Sequence, residues 1–146
     1  MAERASQEIE INSHLEKVLE IILELDQYPV WIDEVQSVEV HDRDSRGRAI
    51  TATLVTSAMG KTINQTYKYD YSKYPLEISW SLTKGDMLKS LSGKYSLEEK
   101  GEYLTKVKYE LDVEMSVSLP GFIKKKAAQK IVSSALDNLK KRCESF

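Results

Sequence analysis

The sequence predicts an α+β fold in which a seven-stranded antiparallel sheet curls around a long C-terminal helix. Two observations carry this. Between Val35 and Val117 the chain is a succession of alternating apolar and polar runs separated by short polar turns, the signature of consecutive hairpins. From Pro120 to Phe146 the apolar residues instead recur at helical spacing with no turn signal. A meander followed by one amphipathic helix buries both elements only if the sheet wraps the helix. Such an arrangement leaves room for a cavity between them.

Each element has its own warrant. The expected strands lie near residues 5–11, 35–42, 48–58, 61–71, 76–83, 88–98 and 103–117. Glycines in Ser45-Arg46-Gly47-Arg48, Met59-Gly60-Lys61, Lys84-Gly85-Asp86 and Glu99-Lys100-Gly101-Glu102 mark turns, because glycine takes positive φ without steric cost. Tyr74-Pro75 marks a fifth, since proline lacks the N–H a central strand needs. Alternation assigns the covered face. It takes Ile63, Gln65, Tyr67, Tyr69 and Tyr71 from strand 4, and Leu76, Ile78, Trp80 and Leu82 from strand 5. It takes Leu91, Gly93, Tyr95 and Leu97 from strand 6, and Tyr103, Val107, Tyr109, Leu111, Val113 and Met115 from strand 7. Strand 3 is ambiguous: Ile50, Ala52 and Leu54 favour one side and Val55 the other.

Between strands 1 and 2, Ser13-His14-Leu15-Glu16 fits a capping box that opens a first helix. Leu15, Val18, Leu19, Ile22 and Leu25 supply its apolar stripe. Tyr28-Pro29 ends it, leaving Pro29 to Ile32 for one further turn. In the last helix Ala128, Ile131, Val132, Ala135, Leu136, Leu139 and Cys143 form one stripe. Lys124 and Lys125 fall in that same angular sector, so the start of the helix is not simply core.

Composition excludes several function classes. A length of 146 residues implies one domain with one core. With 41% apolar and 30% charged residues the chain is neither disordered nor membrane-spanning. The opening MAERASQEIEI has no apolar signal region, so the expectation is a cytoplasmic protein. A net charge of −2 does not suggest a nucleic-acid partner. Cys143 is the only cysteine, which excludes an internal disulfide and a CxxC metal site. His14 and His41 lie far apart and face away from the expected interior. Neither a catalytic constellation, a metal site nor a cofactor is expected.

Certain segments resemble a known family. Glu8-Ile9-Glu10-Ile11-Asn12-Ser13, Lys17-Val18, Tyr28-Pro29-Val30-Trp31 and Glu34-Val35-Gln36-Ser37-Val38 are similar to the opening of the START-like superfamily. Leu119-Pro120-Gly121-Phe122 and Ala135-Leu136-Asp137-Asn138-Leu139-Lys140 are similar to its polyketide cyclase/dehydrase and lipid-transport branch. His14-Leu15 departs from the family, which usually has proline there. The resemblance implies a helix-grip fold with a hydrophobic ligand cavity, and leaves the activity open.

The expected cavity lining is Leu54, Gln65, Tyr67, Tyr69, Trp80, Tyr95, Tyr109 and Phe122. Its phenols, amide and indole could orient a ring while apolar neighbours bury it, although the same side chains would also serve as core aromatics. In a helix grip the cavity opens between the start of the last helix and the turns after strands 3 and 5. The rim is then Met59, Lys61, Lys84, Met87, Lys124 and Lys125, with Lys89 and Lys126 nearby. These lysines suit an anionic ligand head or transient contact with an anionic membrane surface, or else form an ordinary solvated face. Some cyclases of the branch place arginine in the pocket. Here Arg4, Arg43, Arg46, Arg48 and Arg142 are in turns or near the chain ends, and none is matched to such a position. The leading expectation is a binding or carrier protein for a small hydrophobic ligand, cyclic or acyl and lipid- or polyketide-like. Alternatives are a cyclase/dehydrase and a protein-interaction module. Ligand identity and oligomeric state stay open.

Overall fold

The computed structural model describes residues 2–58 and 60–145. The expected rim residue Met59 and the last residue of the expected helix, Phe146, lie outside the described residues. Seven strands form one antiparallel sheet in the order β1-β7-β6-β5-β4-β3-β2. They are β1 (Glu3–Ile11), β2 (Val35–Arg43), β3 (Ala49–Ala58), β4 (Lys61–Asp70), β5 (Glu77–Gly85), β6 (Leu88–Gly101) and β7 (Leu104–Met115). Strands β1 and β2 are neighbours in sequence but opposite edges in space. Helix α1 (Leu15–Leu23), a 3-10 turn (Leu25–Gln27) and α2 (Tyr28–Trp31) connect them. Helix α3 (Gly121–Glu144) closes the chain. The sheet is bent by register shifts in the β2–β3, β4–β5 and β6–β7 pairs, as bulges bend a strand.

Helix α3 packs chiefly along β1, with β7 and α1 beside it and a lighter touch from α2. Its backbone does not lie closely against β3, β4 or β5. This geometry covers only a narrow stripe of the helix: Ala128, Val132, Leu136, Leu139 and Cys143 are buried. Ile131, expected in that stripe, is 41% exposed. Facing the helix are Ile11 from β1 and Val107, Leu111 and Val113 from β7, each essentially without accessible surface.

Several local expectations give way to tertiary contacts. Ser13 does not cap α1; His14 occupies the cap position with no side-chain hydrogen bond. Ser13 is instead buried at the edge of the sheet, where its carbonyl accepts from Thr105 Oγ1 at 2.9 Å. The His14 ring packs against Tyr103, centroids 4.2 Å apart. Tyr103 and Leu76, both expected on the covered face, precede their strands and are each 63% exposed. Gly47 and Gly60 adopt positive φ as their turns require, but Gly85 and Gly101 do not. In the β5–β6 turn the left-handed residue is Met87, at φ 62°. Its neighbours hold it there: Asp86 accepts from the Asn64 amide at 3.0 Å, and Met87 O accepts from Ser116 N at 3.0 Å. In β3 the side holding Ala52 and Leu54 is the buried one, and Val55 stays half-exposed.

The far end of α3 is tied to β1 through one carboxylate. Glu144 accepts from Asn12 N at 2.8 Å and Asn12 Nδ2 at 3.1 Å, and pairs with Lys140 Nζ at 2.6 Å. The Asn12 amide and the Lys140 ammonium hold this carboxyl below the ordinary glutamate range, against a smaller desolvation effect. A depressed folded-state pKa contributes stability above the unfolded value, lost as pH falls through the folded one. Acidification below the ordinary carboxylate range should therefore loosen this end first. Amide hydrogen exchange at Arg142 and Cys143 should accelerate in acid in the wild type, and should already be fast at neutral pH in Glu144→Gln. Equal protection in the two proteins at neutral pH would disprove the tie.

Candidate functional site

The strand register assembles the aromatic side chains. Tyr69 stands opposite Trp80, Trp80 opposite Gly93, and Tyr95 opposite Tyr109. On the concave face Trp80 meets Tyr69 at 6.2 Å, Tyr95 at 5.3 Å and Tyr109 edge-on at 5.6 Å, and Tyr95 meets Tyr109 at 4.9 Å. Tyr71 continues the row, stacked on Tyr69 at 6.5 Å. Gly93 makes the arrangement possible. A Cβ at that position would sit 2.4 Å from Trp80 Cε2 and Cζ2, so the indole lies directly over the bare backbone.

Polar tips divide into two groups. Tyr67 Oη donates to Gln65 Oε1 at 2.9 Å, and Gln65 Nε2 donates to Thr56 Oγ1 at 3.1 Å. Tyr71 Oη donates to Ala49 O at 2.5 Å, and Tyr28 Oη donates to Ile22 O. Both ends of Gln65 thus have protein partners, which leaves one amide hydrogen uncommitted. By contrast, no described residue accepts from the phenols of Tyr69, Tyr95 or Tyr109. Yet the single fully enclosed side-chain polar atom without a partner, among the described residues, is Trp31 Nε1. The three phenol oxygens are therefore not sealed in as Trp31 Nε1 is.

Burial raises the pKa of Tyr28, Tyr67, Tyr69, Tyr95 and Tyr109 above the ordinary phenol value. All but Tyr109 are raised further by neighbouring phenols. Tyr71 is pushed up to about 12, its desolvation outweighing the nearby Arg48 charge. These groups are neutral hydroxyl donors at any physiological pH. Burial likewise pushes the Cys143 thiol up to about 12, which leaves it a small unreactive side chain on the inner stripe of α3. Among the described residues the buried polar side chains are Ser13, Gln65 and Thr105, with no acidic, basic or histidine side chain in that set. His41 is exposed and bonded to Thr53 Oγ1 at 2.7 Å.

Of the residues expected at the site, the fold brings Gln65, Tyr67, Tyr69, Trp80, Tyr95 and Tyr109 onto one face, with Leu54 paired to Gln65 from β3. Phe122 is 66% exposed and stands apart from them. Lys61, Lys84 and Lys125 are exposed, while Lys124 and Met87 are half-buried. Sequence reasoning missed Trp31 and Tyr28, which meet edge-on at 5.3 Å. Tyr28 lies close enough to the row that the Tyr69, Tyr71 and Tyr109 phenols disfavour its ionisation. The signal lay in Tyr28-Pro29-Val30-Trp31, a turn too short to show an apolar face. Arg48 stands at the outer end of the row, its guanidinium 4.5 Å from the Tyr71 ring centre and paired with Asp44 at 2.8 Å.

Two hollows open on the surface. One, of about 510 Å³, runs between the acidic side of α1, with Glu16, Glu20 and Glu24, and the arginines of the β2–β3 turn. The other, of about 710 Å³, is lined by Tyr69, Tyr71, Trp80 and Gly93 of the aromatic row together with polar residues at alternate positions of the same strands, among them Ser79, Ser81 and Ser92. Among the described residues, no group of three or more His, Cys, Asp or Glu side chains converges as a metal site would. Nor is any helix among them long and apolar enough to cross a membrane.

A curled antiparallel sheet gripping a C-terminal helix, with aromatic side chains along its inner face, defines the helix-grip class of START-like folds. The chain belongs to the polyketide cyclase/dehydrase and lipid transport family, which it matches over residues 2–144. Among solved structures it is similar to a START superfamily protein from Mycobacterium smegmatis, with a TM-score of 0.91, 23% identity and 97% of each chain covered. It is similar to the ZhuI aromatase/cyclase from a Streptomyces species, with a TM-score of 0.80, 12% identity, and 99% of this chain and 94% of that one covered. A Thermus thermophilus protein gives a TM-score of 0.79 at 22% identity, covering 99% and 98% of the two chains. At these identities the likeness is one of fold. No curated protein matches the sequence.

Proposed function

We propose that this protein is a binding or carrier protein for a small, neutral, ring-shaped hydrophobic molecule bearing acceptor oxygens. The ligand would sit between α3 and the β4–β7 part of the sheet. One observation carries the reading. The phenols of Tyr69, Tyr95 and Tyr109 are donors without a protein acceptor and are not sealed in, set among apolar and aromatic surfaces. A ligand that packs beside these phenols shuts water away from them, and a buried donor left unpaired costs about 1–3 kcal/mol. A ligand with carbonyl or ether oxygens avoids that cost, whereas a plain acyl chain incurs it. Flat aromatic walls favour a ring. The lack of a charged partner for a charged ligand group favours a neutral one.

Anthraquinone and anthracene distinguish this reading, having the same ring outline with and without carbonyls. The Tyr95→Phe/Tyr109→Phe protein should bind anthraquinone about tenfold or more weakly, since each lost hydrogen bond is worth about 1 kcal/mol. Its anthracene affinity and melting temperature should stay near wild type, because neither hydroxyl has a protein partner. Tyr67→Phe should do the reverse, lowering stability by about 1 kcal/mol by stranding Gln65 Oε1. Equal loss of both ligands in the double variant, or no uptake of either by the wild type, would overturn the proposal.

A cyclase/dehydrase reading draws on the same donors, which could polarise a bound carbonyl toward its enol. A poly-β-ketone mimic separates the two. A carrier returns it unchanged. A cyclase turns it over at a rate that falls about a hundredfold or more in Tyr109→Phe.

A further inference from the structure

The end of the molecule where α3 begins has a composition that folding does not require. The β5–β6 turn is joined to the segment after β7 through Ser116 N and Met87 O, 3.0 Å apart, and to β4 through Asn64 and Asp86. Gly60–Lys61, Lys84–Lys89 and Ser116–Lys130 therefore share one end of the sheet. These segments carry seven lysines and a single acidic residue, Asp86, in a protein whose net charge is −2; Glu34, beside Ser57 and bonded to Ser134, and Glu114, at the end of β7, border them. None of the seven forms an ion pair among the described residues, whereas Lys73, Lys94, Lys100, Lys106, Lys108 and Lys140 all do so elsewhere.

The apolar surface is skewed the same way. Of the six large hydrophobic residues exposed among the described ones, Phe122 (66%), Ile123 (37%) and Ile131 (41%) lie within ten residues of α3. Lys125 lies two turns before Val132 and five before Cys143, on the same side of the helix, yet is exposed where they are buried. The first turns of α3 thus project past the sheet, and present Phe122 and Ile123 beside Lys124, Lys125 and Lys126. Lysines at a helix N-terminus also oppose its dipole.

We propose that this end docks on an anionic lipid bilayer, with Phe122 and Ile123 entering the headgroup boundary and the lysines meeting lipid phosphates. Charge complementarity and residue type both favour a bilayer over a soluble acidic protein. Protein interfaces concentrate tyrosine, tryptophan and arginine and are depleted in lysine. Here no arginine or tryptophan is present, and apolar tips flanked by lysines are what interfacial helices use. The proposal stands independently of which ligand the interior takes.

Co-sedimentation tests it, with vesicles of phosphatidylcholine alone or mixed with phosphatidylglycerol, at low and at physiological salt. The wild type should bind the mixed vesicles and ignore the neutral ones. Lys124→Glu/Lys125→Glu/Lys126→Glu should lose roughly a hundredfold or more in affinity, each lysine being worth about 1 kcal/mol. Its melting temperature should hold or rise slightly. Phe122→Ser/Ile123→Ser should lose about tenfold or more at both salts. The Tyr95→Phe/Tyr109→Phe protein should bind the mixed vesicles as the wild type does, so that failure here is distinct from failure of the interior reading. The proposal falls if the wild type does not prefer anionic vesicles, or if Phe122→Ser/Ile123→Ser binds them normally. It also falls if soluble polyglutamate binds as tightly as vesicles, which would assign the surface to an acidic protein.

Discussion

Gly93→Val should destabilise this protein by about 3 kcal/mol or more and expel Trp80 from its place. The indole occupies the position that the new Cβ needs, 2.4 Å from two of its carbons. Overpacked cores usually lose about 1–3 kcal/mol, and here the intruding branched side chain meets a rigid ring and not the flexible end of a chain. Neither backbone can retreat, because β5 and β6 are paired directly through Trp80 and Gly93. Urea unfolding measures the loss, and Trp80 emission reports the displacement. A double-mutant cycle makes the cause specific. Placed on Trp80→Ala, the Gly93→Val change should cost much less, a coupling of about 2 kcal/mol. A stable Gly93→Val protein with unshifted emission would show that Trp80 has other room, and with it that the aromatic row is loosely held. Displacement of Trp80 should also abolish anthraquinone uptake, because Tyr69, Tyr95 and Tyr109 all contact its ring.

Leu136→Ala should cost about 2–5 kcal/mol, and Ile131→Ala less than about 1. Both residues belong to one apolar stripe by periodicity, but Leu136 has no accessible surface and Ile131 keeps 41% of its own. Leu136 fills the contact between α3 and the sheet, so its truncation leaves a void that the sheet cannot close. Ile131 lies to one side of the stripe that meets β1 and β7. Thermal or urea unfolding of the two variants, side by side, checks the assignment. Comparable losses would mean that α3 is seated differently on the sheet.

Much of this was legible in the primary structure. Period-two alternation from Ile63 to Tyr71 and from Val107 to Met115 specified strands with one covered face, because a pleated strand sends successive side chains to opposite sides. Gly47 and Gly60 marked turns that need positive φ. The helical recurrence of Ala128, Ile131, Val132, Ala135, Leu136, Leu139 and Cys143 specified the helix and, Ile131 and Ala135 apart, its buried side. Those signals are local, and local sterics decide them. From the same alternation came Gln65, Tyr67, Tyr69, Trp80, Tyr95 and Tyr109 as neighbours on the inner face.

What required the tertiary structure was every question of partner. Ser13 has the sequence of a cap, yet Thr105, far away in the chain, draws it into the sheet. The β5–β6 turn contains Gly85, yet contacts to Asn64 and Ser116 put the left-handed residue at Met87. Gln65 was expected to line the cavity, yet Tyr67 and Thr56 occupy both its ends. On the inner face Tyr69, Tyr95 and Tyr109 are left without an acceptor, and Trp31 Nε1 is enclosed without one in a turn with no readable face. Chain periodicity fixes which way a side chain points. Whether its hydrogen bond is made within the protein or left open depends on strand register and on how the helix is seated, and both are settled by contacts between residues distant in sequence.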